Sequence, residues 1–324
     1  MAENIRGQFV WHELMTTDTQ SAAGFYGKVA GLKTELAPGA PSYTLFVASA
    51  GRMGGLMTLG ADAKVMSGSP HWLSYIKTLN VEETARQAES LGGKIIKPPA
   101  DMGDGGRFAI LQDPQGAVFA VYASPQPYTP PPDVPLGHCS WHELATSDHD
   151  AAFPFYQQLF GWETTSTMDM GPQGIYRMFG PAGRKEPFGG MYTKSAQQAG
   201  PPAWLPYIKV ANVKAATAKA KAAGAQILYG PAQVPGGGWI SMGIDPQGAA
   251  FAVHSVAAAV AKPAAKSKSK SKSKPKPKPK PKAKETRKVK AAPKRKAAPK
   301  RRVTKKKAKA APRRTKGRAG SKKR

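Results

Sequence analysis

Apolar and polar residues alternate in a regular order along the first 123 residues. Two helix patterns are present, one from Asp18, which can cap it, to about Ala30 before Gly31, and one over residues 81–91. The period-two alternation typical of strands covers residues 7–15, 43–48, 52–59, 72–78, 93–97, 107–111 and 117–122. This order predicts a βαββ unit, with room for one more strand, followed by a βαβββ unit.

The same order of residues returns about 130 positions later in the chain. The matched motifs are Trp11-His12-Glu13-Leu14 with Trp141-His142-Glu143-Leu144, Phe25-Tyr26 with Phe155-Tyr156, Gly54-Gly55 with Gly189-Gly190, Trp72-Leu73 with Trp204-Leu205, and Asp113-Pro114-Gln115-Gly116 with Asp245-Pro246-Gln247-Gly248. So many motifs in one order predict an α+β protein in which a pair of βαβββ units occurs twice.

A proline-rich segment separates the two copies. Such a segment is stiff and extended, and it breaks helices and central strands. The sequence therefore predicts a first domain over residues 1–124, a linker over 125–136, a second domain over 137–257 and a tail over 258–324.

Charge divides the chain just as sharply. Residues 262–324 contain 31 Lys and Arg and one acid, Glu285, whereas residues 1–261 contain 18 basic and 19 acidic residues. All 27 aromatic residues lie before residue 258. A polycation without aromatic, Leu, Ile or Met residues cannot bury enough surface to offset its chain entropy, so we expect the tail to be disordered.

Composition limits the compartment and the chemistry. The single cysteine, Cys139, excludes an internal disulfide and an all-cysteine metal site, and we expect it to be an inert side chain on a strand. No segment reaches the ~18 apolar residues that span a bilayer, and the N-terminus lacks the apolar region of a secretory signal. These features favour a cytoplasmic protein, associated with the nucleoid if it is bacterial.

The repeated motifs resemble a known superfamily. A strand ending near Asp18, a helix carrying Phe25-Tyr26, and the Asp-Pro-Gln-Gly turn before the last strand are similar to those of the vicinal oxygen chelate proteins. That superfamily includes glyoxalase I, extradiol dioxygenases and bleomycin resistance proteins. The resemblance implies that two βαβββ units form a half-barrel around a cavity, so that this chain has two glyoxalase-like domains.

The resemblance also implies a divalent metal on the inner face of each half-barrel, held by His, Gln or Glu and chelated by two adjacent substrate oxygens. The residues at three of the expected ligand positions are Trp11, Leu73 and Ala120 in the first copy and Trp141, Leu205 and Ala252 in the second. An indole nitrogen is only a donor, and Leu and Ala carry no ligand atom. The fourth position, near the paired glycines, has no carboxylate. We therefore expect no cofactor at the usual site. Binding of a divalent metal by other ligands is an open alternative.

Strand alternation predicts which side chains line the cavities. The candidate ligand-binding residues are Trp11, Tyr75, Lys77, Tyr122, Trp141, Tyr207, Lys209 and His254. An aromatic pocket with an acid and a lysine suits a small organic ligand. Glu13 and Glu143 are candidate general bases, provided that burial raises their pKa.

Simpler structural roles compete with these. Glu13 can pair with Lys77 across the sheet. His12 and His142 fall on the opposite side of the strand, against a helix, where a hydrogen-bonded structural histidine is favoured.

The tail has the composition of a nucleic-acid-binding arm. Its mixture of Lys, Ala, Pro and Ser resembles the C-terminal tails of linker histones and of histone-like bacterial proteins. A flexible polycation binds DNA or RNA through counterion release without reading sequence. The candidate contacts are Lys294, Arg295, Lys296, Lys300, Arg301, Arg302, Lys305, Lys306, Lys307, Arg313 and Arg314.

Three hypotheses follow for the whole chain. The first is a metal-independent glyoxalase-like protein that binds a ligand or is weakly catalytic, and that is tethered to DNA or RNA by its tail. The second is an active metal-dependent lyase or dioxygenase. The third is a structural, histone-like protein that compacts DNA. A monomer in which the two domains pair within one chain is compatible with each of them.

Overall fold

Two eight-stranded sheets organise the chain, one for each copy of the repeat. The computed structural model describes residues 6–60, 68–102, 105–126, 128, 131 and 133–256. The elements of the first repeat are β1 (Phe9–Thr16), α1 (Thr19–Ala30), β2 (Lys33–Ala37), β3 (Ala40–Ala48), β4 (Gly51–Thr58), β5 (His71–Lys77), α2 (Val81–Ser90), β6 (Lys94–Asp101), β7 (Arg107–Gln112) and β8 (Val118–Ala123).

The second repeat follows the same order. Its elements are β9 (Cys139–Thr146), α3 (His149–Phe160), β10 (Trp162–Asp169), a 3-10 turn (Gly171–Gln173), β11 (Ile175–Pro181), β12 (Gly189–Thr193), β13 (Ala203–Lys209), α4 (Val213–Ala222), β14 (Gln226–Gln233), β15 (Trp239–Ile244) and β16 (Ala250–Ser255).

Each sheet joins two βαβββ units through their first strands. The strand order is β2-β3-β4-β1-β5-β8-β7-β6 in the first repeat and β10-β11-β12-β9-β13-β16-β15-β14 in the second. Strand β1 runs parallel to β4 and antiparallel to β5, and β5 runs parallel to β8. The structure confirms the predicted α+β class and the two pairs of βαβββ units.

The helices begin and end where the sequence signals place them. The Asp18 carboxylate accepts a hydrogen bond from the Ser21 amide at 2.9 Å, which satisfies one of the unpaired amides at the start of α1. Gly31 ends that helix in the left-handed region, at a φ of 73°. Asp148 and Gly161 do the same for α3.

Strands β2 and β10 carry little apolar alternation. Four of the five residues of β2 are exposed, and it lies at the edge of its sheet. A half-buried strand alternates apolar and polar residues, but an exposed edge strand need not. This is why the alternation pattern did not locate β2, the additional strand for which the prediction left room.

Each helix packs on the sheet of its own repeat, and the two repeats meet through these helices. In one core cluster, Phe25 and Val29 of α1 contact the same group of buried residues as Val213 and Phe251 of the second repeat. In the other, α3 of the second repeat packs with α2 and with strands of the first. The four helices of the described residues therefore lie between the two sheets and leave the opposite face of each sheet to strand residues alone.

Hydrogen bonds between the repeats use the repeated motifs. The Tyr26 hydroxyl donates to Asp245 Oδ2 at 3.0 Å, and the Tyr156 hydroxyl donates to Asp113 Oδ2 at 2.8 Å. An indole nitrogen extends each of these hydrogen-bonded groups. Trp72 donates to the Tyr26 hydroxyl oxygen at 3.2 Å, and Trp204 donates to the Tyr156 hydroxyl oxygen at 3.0 Å. The Phe-Tyr, Trp-Leu and Asp-Pro-Gln-Gly motifs thus form cross-links between the repeats.

Within the described ranges, no helix is long and apolar enough to cross a membrane. The tail over 258–324 lies outside the described residues, together with its predicted disorder and its eleven predicted nucleic-acid contacts.

Candidate functional site

In the part of the chain that the structure describes, each sheet has one face without helices. This face carries Trp11 and Glu13 in the first repeat and Trp141 and Glu143 in the second, and it holds a cluster of hydrogen-bonded side chains. In the second repeat, Glu143 accepts hydrogen bonds from Tyr207 at Oε1, at 2.8 Å, and from Tyr176 at Oε2, at 2.9 Å. The Trp141 indole nitrogen donates to the Tyr176 hydroxyl oxygen at 2.8 Å. One acid, two phenols and one indole thus form a continuous hydrogen-bonded group.

The first repeat contains the same group at corresponding positions. The Tyr75 hydroxyl donates to Glu13 Oε2 at 2.9 Å, and Tyr43 also hydrogen-bonds the Glu13 carboxylate. The Trp11 indole donates to the Tyr43 hydroxyl at 3.1 Å. We call each group an acid–tyrosine cluster, formed by Trp11, Glu13, Tyr43 and Tyr75 in the first repeat and by Trp141, Glu143, Tyr176 and Tyr207 in the second.

The paired glycines make room for these clusters. A Cβ atom on Gly55 would overlap the Tyr43 phenol, and one on Gly190 would overlap the Tyr176 ring. Gly55 is the register partner of Glu13, and Gly190 is that of Glu143. The absence of a side chain there lets the phenol lie across the neighbouring strand and reach the carboxylate.

Burial sets the protonation of both acids. Loss of contact with water raises the pKa of Glu13 and of Glu143, and the tyrosine hydrogen bonds to the charged form oppose this only in part. Burial and the adjacent carboxylate raise the pKa values of Tyr176 and Tyr207 as well, so both phenols stay protonated as donors. A carboxyl group with a raised pKa is able to exchange a proton with a bound molecule.

The remaining predicted lining residues lie further along the same strands. Lys77 and Tyr122 are register partners on β5 and β8, and Lys209 and His254 are their counterparts on β13 and β16. Tyr122 packs against the apolar cluster that contains Tyr75 and Trp11. His254 Nδ1 lies 2.9 Å from the Ser140 hydroxyl.

The predicted ion pair between Glu13 and Lys77 is wrong. The Lys77 ammonium faces the segment after β8, where it lies 3.5 Å from the Gln126 carbonyl oxygen, and Lys209 correspondingly donates to the Val134 carbonyl at 2.7 Å. Register explains the difference, because Glu13 lies opposite Leu73, four residues before Lys77 on β5. The phenols reach Glu13 instead.

The residues at the expected metal positions do not fit a metal. Trp11 and Ala120 both lie opposite Tyr75 on the first helix-free face, and their side chains offer no ligand atom. Glu143 accepts one tyrosine hydrogen bond at each oxygen, so it offers a single carboxylate with no second donor residue beside it at the expected positions. Within the described ranges, the one group of His and acidic residues close enough to share an ion is Asp148, His149 and Asp150, at the start of α3.

The two helix-free faces differ in how far they are filled. Glu13 is 5% exposed and Leu73 1%, whereas Glu143 and Leu205 are half-buried. One cause is the smaller side chain of Ala145 at the position that corresponds to Met15, which is buried against Leu73 and Tyr75. Solvent therefore comes closer to the acid in the second repeat than in the first.

Sequence reasoning missed Tyr43 and Tyr176. Both lie on strands, and each is followed three residues later by a fully buried phenylalanine, Phe46 or Phe179. The repeated Tyr-x-x-Phe was the signal available for them, at an offset of 133.

Comparison with known proteins places the chain in a family. Residues 8–121 and 136–253 match the family model described as the Glyoxalase/Bleomycin resistance protein/Dioxygenase superfamily. The chain is 30% identical over 253 residues to "Putative glyoxylase CFP32" of Mycobacterium tuberculosis (strain CDC 1551 / Oshkosh), which covers 75% of this chain and 92% of that protein. It is 27% identical over 265 residues to "Anthracycline biosynthesis protein DnrV" of Streptomyces peucetius, which covers 76% and 92%.

Solved structures share the fold at low sequence identity. The Mn(II)-bound glyoxalase from Novosphingobium aromaticivorans superposes with a TM-score of 0.56 at 15% identity, over 78% of this chain and 82% of that one. The 2,3-dioxygenase LapB from Pseudomonas sp. KL28 gives 0.54 at 11% identity, over 79% and 94%. The expectation of two glyoxalase-like domains is confirmed.

Proposed function

Because the chain belongs to the Glyoxalase/Bleomycin resistance protein/Dioxygenase superfamily, we propose that it binds a small organic ligand without the usual metal, and that its basic tail holds it on nucleic acid. The acid–tyrosine cluster carries the first part of this proposal. It occurs in both repeats with the same partners, and in each repeat it lies where the resemblance implies that the metal and substrate would lie.

The cluster suits a planar ligand that carries a hydroxyl or N–H group. A carboxylate has about four acceptor sites, so two remain on Glu143 after Tyr176 and Tyr207 have donated. The ring of Trp141, which is only half-buried, offers apolar contact beside them. Glu143, with its raised pKa, would accept the ligand's hydrogen bond or proton.

The second repeat is the favoured site. Glu143 and Leu205 are partly exposed there, whereas Glu13 and Leu73 are buried beside Met15 in the first repeat. The name of the DnrV relative, an anthracycline biosynthesis protein, supports an aromatic ligand of this kind.

Titration of the full chain with 1,2-dihydroxyanthraquinone, followed by tryptophan fluorescence and calorimetry, tests the ligand site. Glu143→Gln should weaken binding about 10- to 100-fold, as expected for a hydrogen bond to a charged group worth about 1.5–3 kcal/mol. Glu13→Gln is the matched control and should change binding less than about twofold. Equal effects of the two variants, or no saturable binding by any of a panel of hydroxylated aromatics, would contradict the proposal.

The tail's composition supports the second part. It holds 31 cations and one acid over residues 262–324 and no aromatic side chain that could stack on a base. A full-length variant with the eleven predicted contacts changed to Gln should lose binding to a 30-base-pair duplex at ~150 mM salt. Retention of wild-type affinity by that variant would show that these residues do not tether the protein.

A further inference from the structure

The helix pair α1 and α4 forms a basic surface on the folded body. These helices pack against each other and contain no acidic residue. The pair, called the basic helix pair below, carries four exposed lysines, which are Lys28, Lys214, Lys219 and Lys221.

The pseudo-equivalent helix pair, α2 with α3, has the opposite charge. It carries Glu82, Glu83, Glu89 and Asp150 against one arginine, Arg86. The formal charges are thus +4 on one pair and −3 on the other, and each pair has one further N-cap aspartate, Asp18 or Asp148.

Matched positions show that the fold does not require this charge. Helix α4 repeats α2 at an offset of 132 residues, so that Lys214 replaces Glu82, Lys219 replaces Gln87 and Lys221 replaces Glu89. The buried positions keep their character, with Val81 and Val213 at the start of each helix. The two copies share one structure but have surfaces of opposite charge, so the charge serves a role other than folding.

The contrast extends beyond the helices. Residues 187–256 contain a single acid, Asp245, whereas the corresponding residues 55–124 contain seven. Asp245 is 3% exposed and accepts the Tyr26 hydroxyl, so it does not offset the surface lysines.

Partners of the charged groups differ between the pairs. On the acidic side, Arg107 pairs with Glu82 and Arg177 pairs with Asp150. No ion pair within 4 Å involves any of the four lysines among the residues that the structure describes. Lys214 lies over the Trp239 ring, 4.1 Å from its centre. The basic side therefore keeps its charge available to an anionic partner.

The shape of the surface suits a polyanion. The other exposed positions of α4 are Ala215, Ala218 and Ala222. Their small side chains let a partner approach the helix backbone closely between the lysines. A groove runs beside Gly24 and Lys28 toward Ala223 and Gln247. Lys214 and Lys221 lie about two turns apart on one side of the helix, roughly 10 Å along its axis.

We propose that the basic helix pair is a second contact site for the phosphate backbone of duplex nucleic acid. This inference rests on the proposed tethering by the tail. The last described residue, Val256, lines a groove together with Lys214, and five residues separate it from Lys262, the first lysine of the tail. That segment spans at most about 20 Å, so a duplex held by the tail is at high effective concentration near the body.

A duplex fits this surface better than an anionic membrane does. Lipid surfaces take up amphipathic helices that insert large apolar side chains beside the cations. Neither α1 nor α4 itself has an exposed large apolar residue. Leu136 and Val256 line the groove beside Lys214, but neither lies on a helix that could insert into lipid.

The salt dependence of duplex binding by full-length protein tests this. Each phosphate contact contributes about −0.9 to the slope of log K against log salt. The triple variant Lys28→Gln, Lys219→Gln, Lys221→Gln should flatten the slope by up to about 2.7. The matched control, Arg86→Glu with Ser90→Glu on α2, changes the formal charge equally and should leave the slope unchanged. A photoreactive residue at position 221 should also crosslink to the duplex, and one at position 86 should not.

The outcomes separate this inference from the tethering. If wild-type protein binds the duplex and both variants show the wild-type slope, the helix pair is no contact site and the tail alone binds. Equal flattening in both variants would show a general charge effect and would also overturn the inference. If wild-type protein shows no salt-dependent binding, the tethering itself fails. If the triple variant loses binding to phosphatidylserine vesicles but binds the duplex like the wild type, the surface is a membrane contact and the inference is overturned.

Discussion

His12 and His142 occupy corresponding positions in the two repeats and meet between them, with their Nε2 atoms 3.3 Å apart. Each ring is anchored on its other nitrogen, His12 beside the Ser74 hydroxyl and His142 beside the Phe188 carbonyl, both at 3.1 Å. Phe9 stacks on the His142 ring at 3.8 Å. Both rings are hydrogen-bonded, as expected for structural histidines, but these contacts join the two rings to each other and not to a helix.

This pair should make the fold sensitive to acid. Burial lowers the pKa of both rings, to about 3 for His142. Below pH 6.5 the unfolded chain therefore binds protons that the folded chain does not, and stability falls by about 1.4 kcal/mol per pH unit for each histidine until the folded pKa is reached. Between pH 7.5 and 5.0, His142 should contribute a loss of about 2 kcal/mol, and the lowered pKa of His12 adds a loss in the same direction.

Urea unfolding at the two pH values checks this. The raised pKa values of Glu13 and Glu143 act in the opposite direction, so the informative quantity is the difference between wild type and His142→Gln. The variant lacks the contribution of His142, so its stability should fall by about 2 kcal/mol less between these pH values. Identical pH slopes for the two proteins would contradict the assignment.

The Tyr–Asp cross-links should contribute to stability independently of each other. Tyr156→Phe removes the hydrogen bond to Asp113 and the acceptor of the Trp204 indole, both buried, and should lower the free energy of unfolding by about 2–3 kcal/mol. Tyr26→Phe should cost a similar amount. The two sites lie in separate core clusters, so the double variant should show the sum.

Denaturant unfolding of the three variants measures these costs. Tyr229→Phe, at an exposed position of β14, serves as the control and should change stability by less than about 0.5 kcal/mol. A double variant that costs no more than either single one would show that the cross-links act as one network.

These cross-links mark the limit of what the sequence predicts. The repeated Phe-Tyr and Asp-Pro-Gln-Gly motifs predicted the helices, the turns and the duplication. Their pairing across 219 residues, between Tyr26 and Asp245, depends on how the repeats pack, and strand or helix periodicity carries no information about that. Alternation likewise predicted that Glu13 shares a face with Trp11, but it could not show that Gly55 admits the Tyr43 phenol from the next strand.

Gly190→Ala should disrupt the second acid–tyrosine cluster. The added methyl group would overlap the Tyr176 ring and displace its hydroxyl from Glu143. Overpacking of this kind costs about 1–3 kcal/mol, and loss of the phenol donor should raise the pKa of Glu143 further. Carboxyl titration by NMR together with denaturant unfolding measures both effects.

Gly24→Ala is the opposite control. Its Cβ would meet no atom within 4 Å in the interior of α1, so alanine should stabilise the protein by up to about 1 kcal/mol. Destabilisation by both substitutions to the same extent would show that the Tyr176 contact is not the cause.

Removal of divalent metals should leave the protein unchanged. Trp141, Leu205 and Ala252 provide no ligand atom at the positions where the family resemblance implies them. Protein purified in the presence of Mn²⁺ and Zn²⁺ should contain far less than one equivalent per chain by mass spectrometry, and EDTA should not shift its Tm. The variant Trp141→His, Leu205→His, Ala252→Glu places three donors on this face and should become sensitive to EDTA. About one tightly held ion per repeat in the wild-type protein would contradict the prediction, because another donor set would then have to supply the ligands.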